Sequence, residues 1–151
     1  MKEFSNIDDI LEFAIGEEQG AIDFYSELAR NARSKEMSEV FTEFAHEEMK
    51  HKQKLTAIRE QGVFTMPAGS VTDLKISDYV ISVKVTAEMT YEEALVVAMN
   101  KEKAAFKLYT NLAERAPGAD LKNVFLSLAM EESRHKLRFE MEYDDYVLRE
   151  N

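Results

Sequence analysis

The chain contains one pattern of residues twice, at a constant offset. Aligned without gaps, residues 14–52 and 98–136 share fourteen identities, and the offset of 84 positions never changes, so that Glu18 corresponds to Glu102. An internal repeat is the feature to interpret first, because each copy is expected to form the same structural unit. The sequence therefore predicts two similar halves within one fold.

Each half has the apolar periodicity of two long helices. Apolar residues recur at steps of three and four, which places them along one side of a helix. The chain is 45% apolar and has only five Gly and two Pro, a composition that suits long helices. Ser5 or Asn6 is the expected N-cap of the first helix, and Thr90 and Glu93 predict a capping box at the third. Gly62 is a suitable C-cap for the second. The predicted helices cover about 6–31, 34–61, 90–116 and 119–148. Four phenylalanines are expected in the core: Phe24, Phe41, Phe106 and Phe125.

The lengths of the connections predict the architecture. Short turns, the second of them at Pro117-Gly118, join the helices of each half into hairpins at about 5–61 and 90–148. The crossover at about 62–89 is far longer than a turn and can travel the length of a helix bundle. Its β-branched part, residues 79–85, is expected to be extended, and a short strand there would be unsurprising. We therefore expect one domain over residues 1–151: an all-α four-helix bundle of two duplicated helical hairpins joined by one long crossover.

Charge and composition exclude several classes of function. The net charge of −10 argues against binding to nucleic acid or to an anionic membrane. The absence of Cys excludes disulfides and thiolate-ligated metals within these residues. The chain has no apolar run long enough to span a membrane, and its first residues lack the apolar core of a signal peptide. We expect a cytoplasmic protein.

Six of the duplicated residues are candidate metal ligands. All four carboxylates lie near the middle of a predicted helix, so that they would converge at the centre of the bundle. Carboxylates in an apolar interior must be protonated or balanced by cations, and two divalent ions would balance four Glu. A Glu-x-x-His pair projects from one side of a helix and can serve one ion. The candidate ligands are Glu18, Glu48, His51, Glu102, Glu132 and His135.

Similar patterns nearby are interpreted as surface features. Glu43 and His46 also form Glu-x-x-His, but this pair has no counterpart in the second half. Glu47 and Glu131 are duplicated, yet the apolar side of the second helix passes through Glu48 and not through Glu47. We expect Glu43 and His46 on the surface and Glu47 at the rim of the core.

The ligand pattern resembles the ferritin-like di-iron carboxylate superfamily, and within it the rubrerythrin group. This resemblance covers roughly residues 5–148, with the crossover matching only in length. The motifs that carry it are Glu18-Gln19-Gly20-Ala21-Ile22-Asp23-Phe24-Tyr25, Glu48-Met49-Lys50-His51, Glu102-Lys103-Ala104-Ala105-Phe106-Lys107-Leu108-Tyr109 and Glu132-Ser133-Arg134-His135. It implies two iron ions held by the six residues, with manganese as the other metal that fits. It also implies reaction with hydrogen peroxide or dioxygen, and support of the carboxylates by Tyr25 and Tyr109.

Two features depart from the rubrerythrin pattern. Rubrerythrins proper carry a Cys-ligated rubredoxin iron that supplies electrons, whereas this chain has no Cys. They also have an additional Glu one turn after the third-helix ligand, where this chain has Ala105. Turnover would therefore need an external electron-donor protein, and the peroxidase mechanism of rubrerythrin is inherited only as a hypothesis.

The leading hypothesis is a di-iron oxidoreductase that reduces hydrogen peroxide, or oxidises ferrous iron, in oxidative-stress defence. Three alternatives remain open: iron storage of the ferritin type, a di-iron substrate oxygenase, and a metal-free structural bundle. We expect a homo-oligomer, with a dimer as the expected form. A dimer would exclude a hollow storage shell.

Overall fold

The described chain is entirely helical apart from its turns. The computed structural model describes residues 6–62, Tyr79 and residues 89–150, with side chains up to Leu148. Within this part of the chain there is no strand, and the four helices are α1 (Ile7–Arg30), α2 (Lys35–Gln61), α3 (Tyr91–Arg115) and α4 (Ala119–Glu150). The predicted helix bounds are thus confirmed to within two residues. The expected extended segment at 79–85 lies outside the described residues except for Tyr79, which is in a turn.

The helices pack in pairs. α1 packs against α2 and α3 packs against α4, which gives a first hairpin (α1 and α2) and a second hairpin (α3 and α4). Residues 1–76 and 77–151 form two compact units, with one hairpin in each. The all-α class and the two hairpins of a ferritin-like bundle are confirmed, whereas the assignment of residues 1–151 to one domain stays a prediction.

The helix ends are fixed by capping residues. The Asn6 side chain accepts a 2.9 Å hydrogen bond from the backbone N–H of Asp9. Thr90 and Glu93 form the predicted capping box, with hydrogen bonds of 3.1 Å in both directions. Gly62 follows α2 with a φ of 55°, a left-handed conformation that a residue with a Cβ adopts only at a cost. Local chemistry therefore determines where the helices begin and end.

The apolar side of each helix is buried within its unit, as its periodicity predicts. Phe41 and Phe125 occupy equivalent positions and both have no exposed surface, and Phe24 is also buried. The prediction for Phe106 is wrong, because 41% of this residue is exposed. Its equivalent, Ile22, is only 9% exposed. The duplicated pattern therefore predicts the interior correctly but not the outer surface of the second hairpin.

Equivalent positions near the end of each hairpin make different contacts. In the first hairpin Arg59 donates a 2.8 Å hydrogen bond to Asp8, and this contact lowers the pKa of the Asp8 carboxyl. In the second hairpin Tyr143 donates a 3.1 Å hydrogen bond to Glu92, and this contact raises the pKa of the Tyr143 hydroxyl. The geometry of the repeat is thus kept while its surface chemistry differs.

Tyr79, a described residue of the crossover, contacts α3 of the second hairpin. Tyr79 is buried, and its hydroxyl accepts a 2.8 Å hydrogen bond from Asn111 on α3. The ammonium of Lys107 lies 5.8 Å from the centre of the Tyr79 ring, within the range of a cation–π contact. Among the described helices, none is both long and apolar enough to cross a membrane.

Candidate metal centre

The six predicted ligands lie near the middle of their helices and inside the units. Each occupies the buried side of an amphipathic helix, where neighbouring turns supply apolar side chains. Each of the six residues is between 0% and 3% exposed. Charged and imidazole side chains are seldom buried so completely unless they are paired or bind a metal.

Three of them meet within the first hairpin. The Nδ1 atom of His51 is 3.7 Å from a carboxylate oxygen of Glu18 and 3.4 Å from one of Glu48. Glu48 and His51 are one helical turn apart on α2, and Glu18 comes from α1. The structure thus brings together the first ligand triad: Glu18, Glu48 and His51.

The second hairpin repeats this arrangement. The Nδ1 atom of His135 is 3.7 Å from Glu102 and 3.9 Å from Glu132. The corresponding distances in the two hairpins therefore agree to within 0.5 Å. These residues form the second ligand triad: Glu102, Glu132 and His135.

The spacing within each triad fits a shared metal ion. Separations of 3.4–3.9 Å are too long for N–H···O hydrogen bonds, whose usual range is about 2.7–3.2 Å. Two atoms bound to one ion at about 2.0–2.2 Å, with an angle of about 90–130° between them, are about 3–4 Å apart. Each residue of a triad offers a ligand atom within 4.8 Å of the others. In both triads the imidazole nitrogen near the carboxylates is Nδ1.

The donor atoms also fit a divalent cation in their charge. Two ionised carboxylates and a neutral imidazole carry a charge of −2, which one divalent ion balances. Mixed carboxylate and imidazole ligation suits iron or manganese. In each of the six residues, one carboxylate oxygen or the Nδ1 atom is buried and makes no hydrogen bond to the described chain, although every residue has other contacts. The residues present therefore fit a metal.

Comparison with protein families decides the identity of the fold. The family model described as Rubrerythrin matches residues 9–70 and 93–151. The chain belongs to the rubrerythrin family. The two matched ranges contain all six predicted ligands, and the break between them falls in the crossover. No curated protein and no solved structure matches the chain significantly.

The tyrosines expected to support the carboxylates are also buried. Tyr25 and Tyr109 are 0% and 1% exposed and lie two turns after Glu18 and Glu102 on the same side of their helices. The ring of Tyr25 lies 5.9 Å from that of Phe24. Burial agrees with the family expectation, while the role of both hydroxyls stays a prediction.

The residues interpreted as surface features lie outside the triads. Glu43 and His46 are exposed, and Glu47 and Glu131 are half-buried. The Glu-x-x-His pair without a duplicate therefore lies on the surface. Duplication, rather than the motif itself, distinguishes the two buried pairs from this exposed one.

A further buried acid lies on α4 and was not predicted from the sequence. Glu142 is 3% exposed and accepts a 2.7 Å hydrogen bond from the hydroxyl of Tyr91. It lies seven residues after His135, on the same side of α4, so the periodicity that marks His135 as buried could also have found Glu142. Its equivalent in the first hairpin is Ile58, so Glu142 does not belong to a duplicated pair of polar residues.

Proposed function

We propose that the chain is a di-iron protein that reduces hydrogen peroxide, with oxidation of ferrous iron as the related activity of the same centre. The observation that carries this proposal is the presence of two equivalent Glu-Glu-His triads, both buried and both spaced for a metal ion. Together they offer four carboxylates and two imidazoles, a complete ligand set for two ions. Membership of the rubrerythrin family supports iron, and manganese fits the same ligands.

The protein residues have three roles in this proposal. The Glu carboxylates would balance the charge of the ions, and the His imidazoles would offer Nδ1, the nitrogen that lies near the carboxylates. Burial of both triads excludes bulk water and strengthens these electrostatic contacts. Tyr25 and Tyr109 lie two turns from Glu18 and Glu102 and would orient the carboxylates through their hydroxyls.

The electron balance requires a partner protein. Two ferrous ions, if held by the two triads, would supply two electrons, and with two protons these would convert one hydrogen peroxide molecule to two water molecules. Repeated turnover then requires two electrons from outside. The 151 residues contain no Cys to hold a rubredoxin iron, so we place the electron donor on a separate protein in the cytoplasm.

An anaerobic titration of the metal-free protein with ferrous iron tests the proposal. The expected result is two ions bound per chain, followed by oxidation of both ions by one equivalent of hydrogen peroxide. Dioxygen is compared under the same conditions to separate the two oxidants. Binding of fewer than two ions, or failure of bound iron to react with peroxide, would contradict the proposal.

The number of ions bound and the size of the oligomer, measured on the same preparation, distinguish this proposal from iron storage. Iron storage of the ferritin type needs a hollow shell of many chains and binding of many more than two ions per chain. We expect saturation at two ions and a small oligomer, with a dimer as the expected form. A large shell that continues to take up iron would favour storage.

A further inference from the structure

Exposed apolar side chains are concentrated on one hairpin. Of the eight large apolar side chains that are exposed in the described part of the chain, seven lie on the second hairpin and only Met49 lies on the first. Four of the seven follow one another along α4 in steps of four, seven and four residues, which keeps them within about 60° of one side of the helix. These four residues, the α4 stripe, are Leu126, Met130, Leu137 and Met141, with exposures of 38%, 72%, 59% and 53%.

The first hairpin shows that the fold does not require an apolar stripe at these positions. The equivalents of the four stripe residues are Thr42, His46, Gln53 and Ala57, of which the first three are exposed. A hairpin of the same geometry thus forms with mostly polar side chains there. The α4 stripe therefore contributes to something other than the fold of its hairpin.

Phe106 on α3 extends the apolar surface. Its equivalent in the first hairpin, Ile22, lines a cavity of about 350 Å³ together with Thr42 and His46. The equivalents of Thr42 and His46 are the first two residues of the α4 stripe, so the repeat places Phe106 beside them. Phe106 is apolar yet exposed, and because it lies beside the α4 stripe we treat both as one apolar surface.

The exposed area matches the apolar centre of a protein interface. If each of the five side chains offers on the order of 150 Å² when fully exposed, the observed fractions leave on the order of 400 Å² of apolar area. A standard interface buries about 800 Å² on each partner, a little more than half of it apolar. The surface is therefore large enough for a stable contact once its polar surroundings are included.

The order of residues along α4 indicates which partner covers this surface. Leu126 and Met141 are equally far from a point between Ser133 and Arg134, and so are Met130 and Leu137. Two α4 helices that pair antiparallel about a two-fold axis at this point would therefore place Leu126 opposite Met141 and Met130 opposite Leu137. The stripe is complementary to its own reversed copy, which is the requirement of a two-fold symmetric interface.

The charges near the ends of the stripe fit the same pairing. Lys122 and Asp144 lie on the same flank of α4, at opposite ends of the stripe, and both are exposed. In the antiparallel pair, Lys122 of one copy comes within one residue, about 1.5 Å along the helix axis, of Asp144 of the other, twice. No carboxylate occurs among the stripe residues or at Ser133, so the pairing brings no two carboxylates together at the centre of the contact.

We propose that the α4 stripe and Phe106 form a homodimer interface, in which two copies of the second hairpin pair through antiparallel α4 helices centred between Ser133 and Arg134. The proposal does not depend on the metal or on the reaction. It places the two-fold axis at one position of one helix, and a single Cys can test that position because the chain has no other.

The test is oxidation of the Ser133→Cys variant of the full chain under mild conditions. Helices packed 8–10 Å apart bring residues on the axis close enough for a disulfide, so we expect most of the protein to form a cross-linked dimer. Met49→Cys is the matched control, since Met49 is the exposed equivalent of Ser133 in the first hairpin. It should stay largely uncross-linked. Equal cross-linking of both variants would overturn the proposal.

Sedimentation provides the independent readout. We expect the natural chain to sediment as a dimer and Met130→Asp/Leu137→Asp as a monomer with unchanged helical circular dichroism. The equivalent double variant His46→Asp/Gln53→Asp should remain dimeric. A monomeric natural chain, or a dimer that persists when the stripe carries two carboxylates, would show that the stripe is not the interface.

Discussion

Tyr91 on α3 donates a 2.7 Å hydrogen bond to the buried carboxylate of Glu142 on α4. The equivalent positions of the first hairpin are occupied by Ile7 and Ile58. The same pair of helices can therefore be joined at this point by a polar or by an apolar contact. The polar contact places a carboxylate in the interior and makes the second hairpin dependent on its hydrogen-bond donors.

Removal of the donor should destabilise the protein. Tyr91→Phe keeps the ring, which packs edge-on against Tyr146 at 5.1 Å, and removes only the hydroxyl. Because a hydrogen bond to a charged group contributes about 1.5–3 kcal/mol, we expect the free energy of unfolding to fall by about that amount. Urea unfolding of the metal-free protein at neutral pH measures it.

The duplicated hairpin supplies the control. Tyr91→Ile/Glu142→Ile gives the second hairpin the pair found in the first, and its loss of stability should be smaller than that of Tyr91→Phe alone. Replacing both members of a buried polar pair by apolar groups costs less than removing one. A double variant that is less stable than Tyr91→Phe would show that the polar contact itself stabilises the fold.

Each His should be required for one metal ion. We expect His51→Ala and His135→Ala each to bind one ferrous ion with the original affinity and the second at least about tenfold more weakly. His46→Ala, which alters the exposed Glu-x-x-His, should bind both ions normally. Anaerobic titration measures the stoichiometry, and tight binding of two ions by the His51→Ala/His135→Ala variant would exclude both residues as ligands.

Metal should stabilise the folded chain, because the triads exist only in the folded state. At a free metal concentration of about 100 times Kd, binding contributes about 2.7 kcal/mol per site. For a chain of this size, each such contribution should raise Tm by roughly 5–10 °C. Calorimetry with and without ferrous iron measures the increase. In Glu48→Gln/Glu132→Gln the increase should disappear, and an unchanged increase would indicate that the metal binds elsewhere.

The two hairpins should lose surface contacts at opposite ends of the pH scale. Arg59 lowers the pKa of Asp8 below its usual 3.8, so this contact stabilises the fold above that pH and is lost as the pH falls through the lower, folded-state pKa. The hydrogen bond to Glu92 raises the pKa of Tyr143 above 10.0. This contact stabilises the fold below pH 10.0 and is lost as the pH rises through the higher, folded-state pKa.

Urea midpoints measured as a function of pH test both signs. Asp8→Asn should flatten the acid limb of the curve and leave the alkaline limb unchanged, and Tyr143→Phe should do the reverse. Both effects should be small and should shrink at high salt, because the groups are exposed. An alkaline change in Asp8→Asn would show that the contacts are not independent.

The sequence predicted those parts of the structure that follow from local chemistry. Asn6, Gly62 and the Thr90 capping box fix helix ends through hydrogen bonds and backbone conformations within a few residues. The buried Glu and His residues were predicted because Glu18, His51 and their equivalents are polar at positions where the period requires apolar residues. Duplication then separated them from His46.

The rest could not be predicted because it depends on differences between the two halves. Phe106 was expected in the core since its position is apolar in both hairpins, yet only Ile22 is covered. On α4 an exposed apolar row lies one residue after the buried one, as Leu126 and Phe125 show. The repeat does not predict this second row, because its equivalents on α2 are mostly polar. Glu142 has no polar equivalent in the first hairpin, so the repeat that identified the six buried Glu and His residues did not identify Glu142.

The restriction of the α4 stripe to one hairpin has a consequence for the size of any assembly. A molecule with one self-complementary patch stops growing at two copies, since each patch is satisfied by its partner. A molecule with a second such patch on its other half would bind one further copy through each patch and form an open chain. In the proposed dimer, the polar residues at the equivalent positions of α2, Thr42, His46 and Gln53, would therefore keep the assembly at two copies.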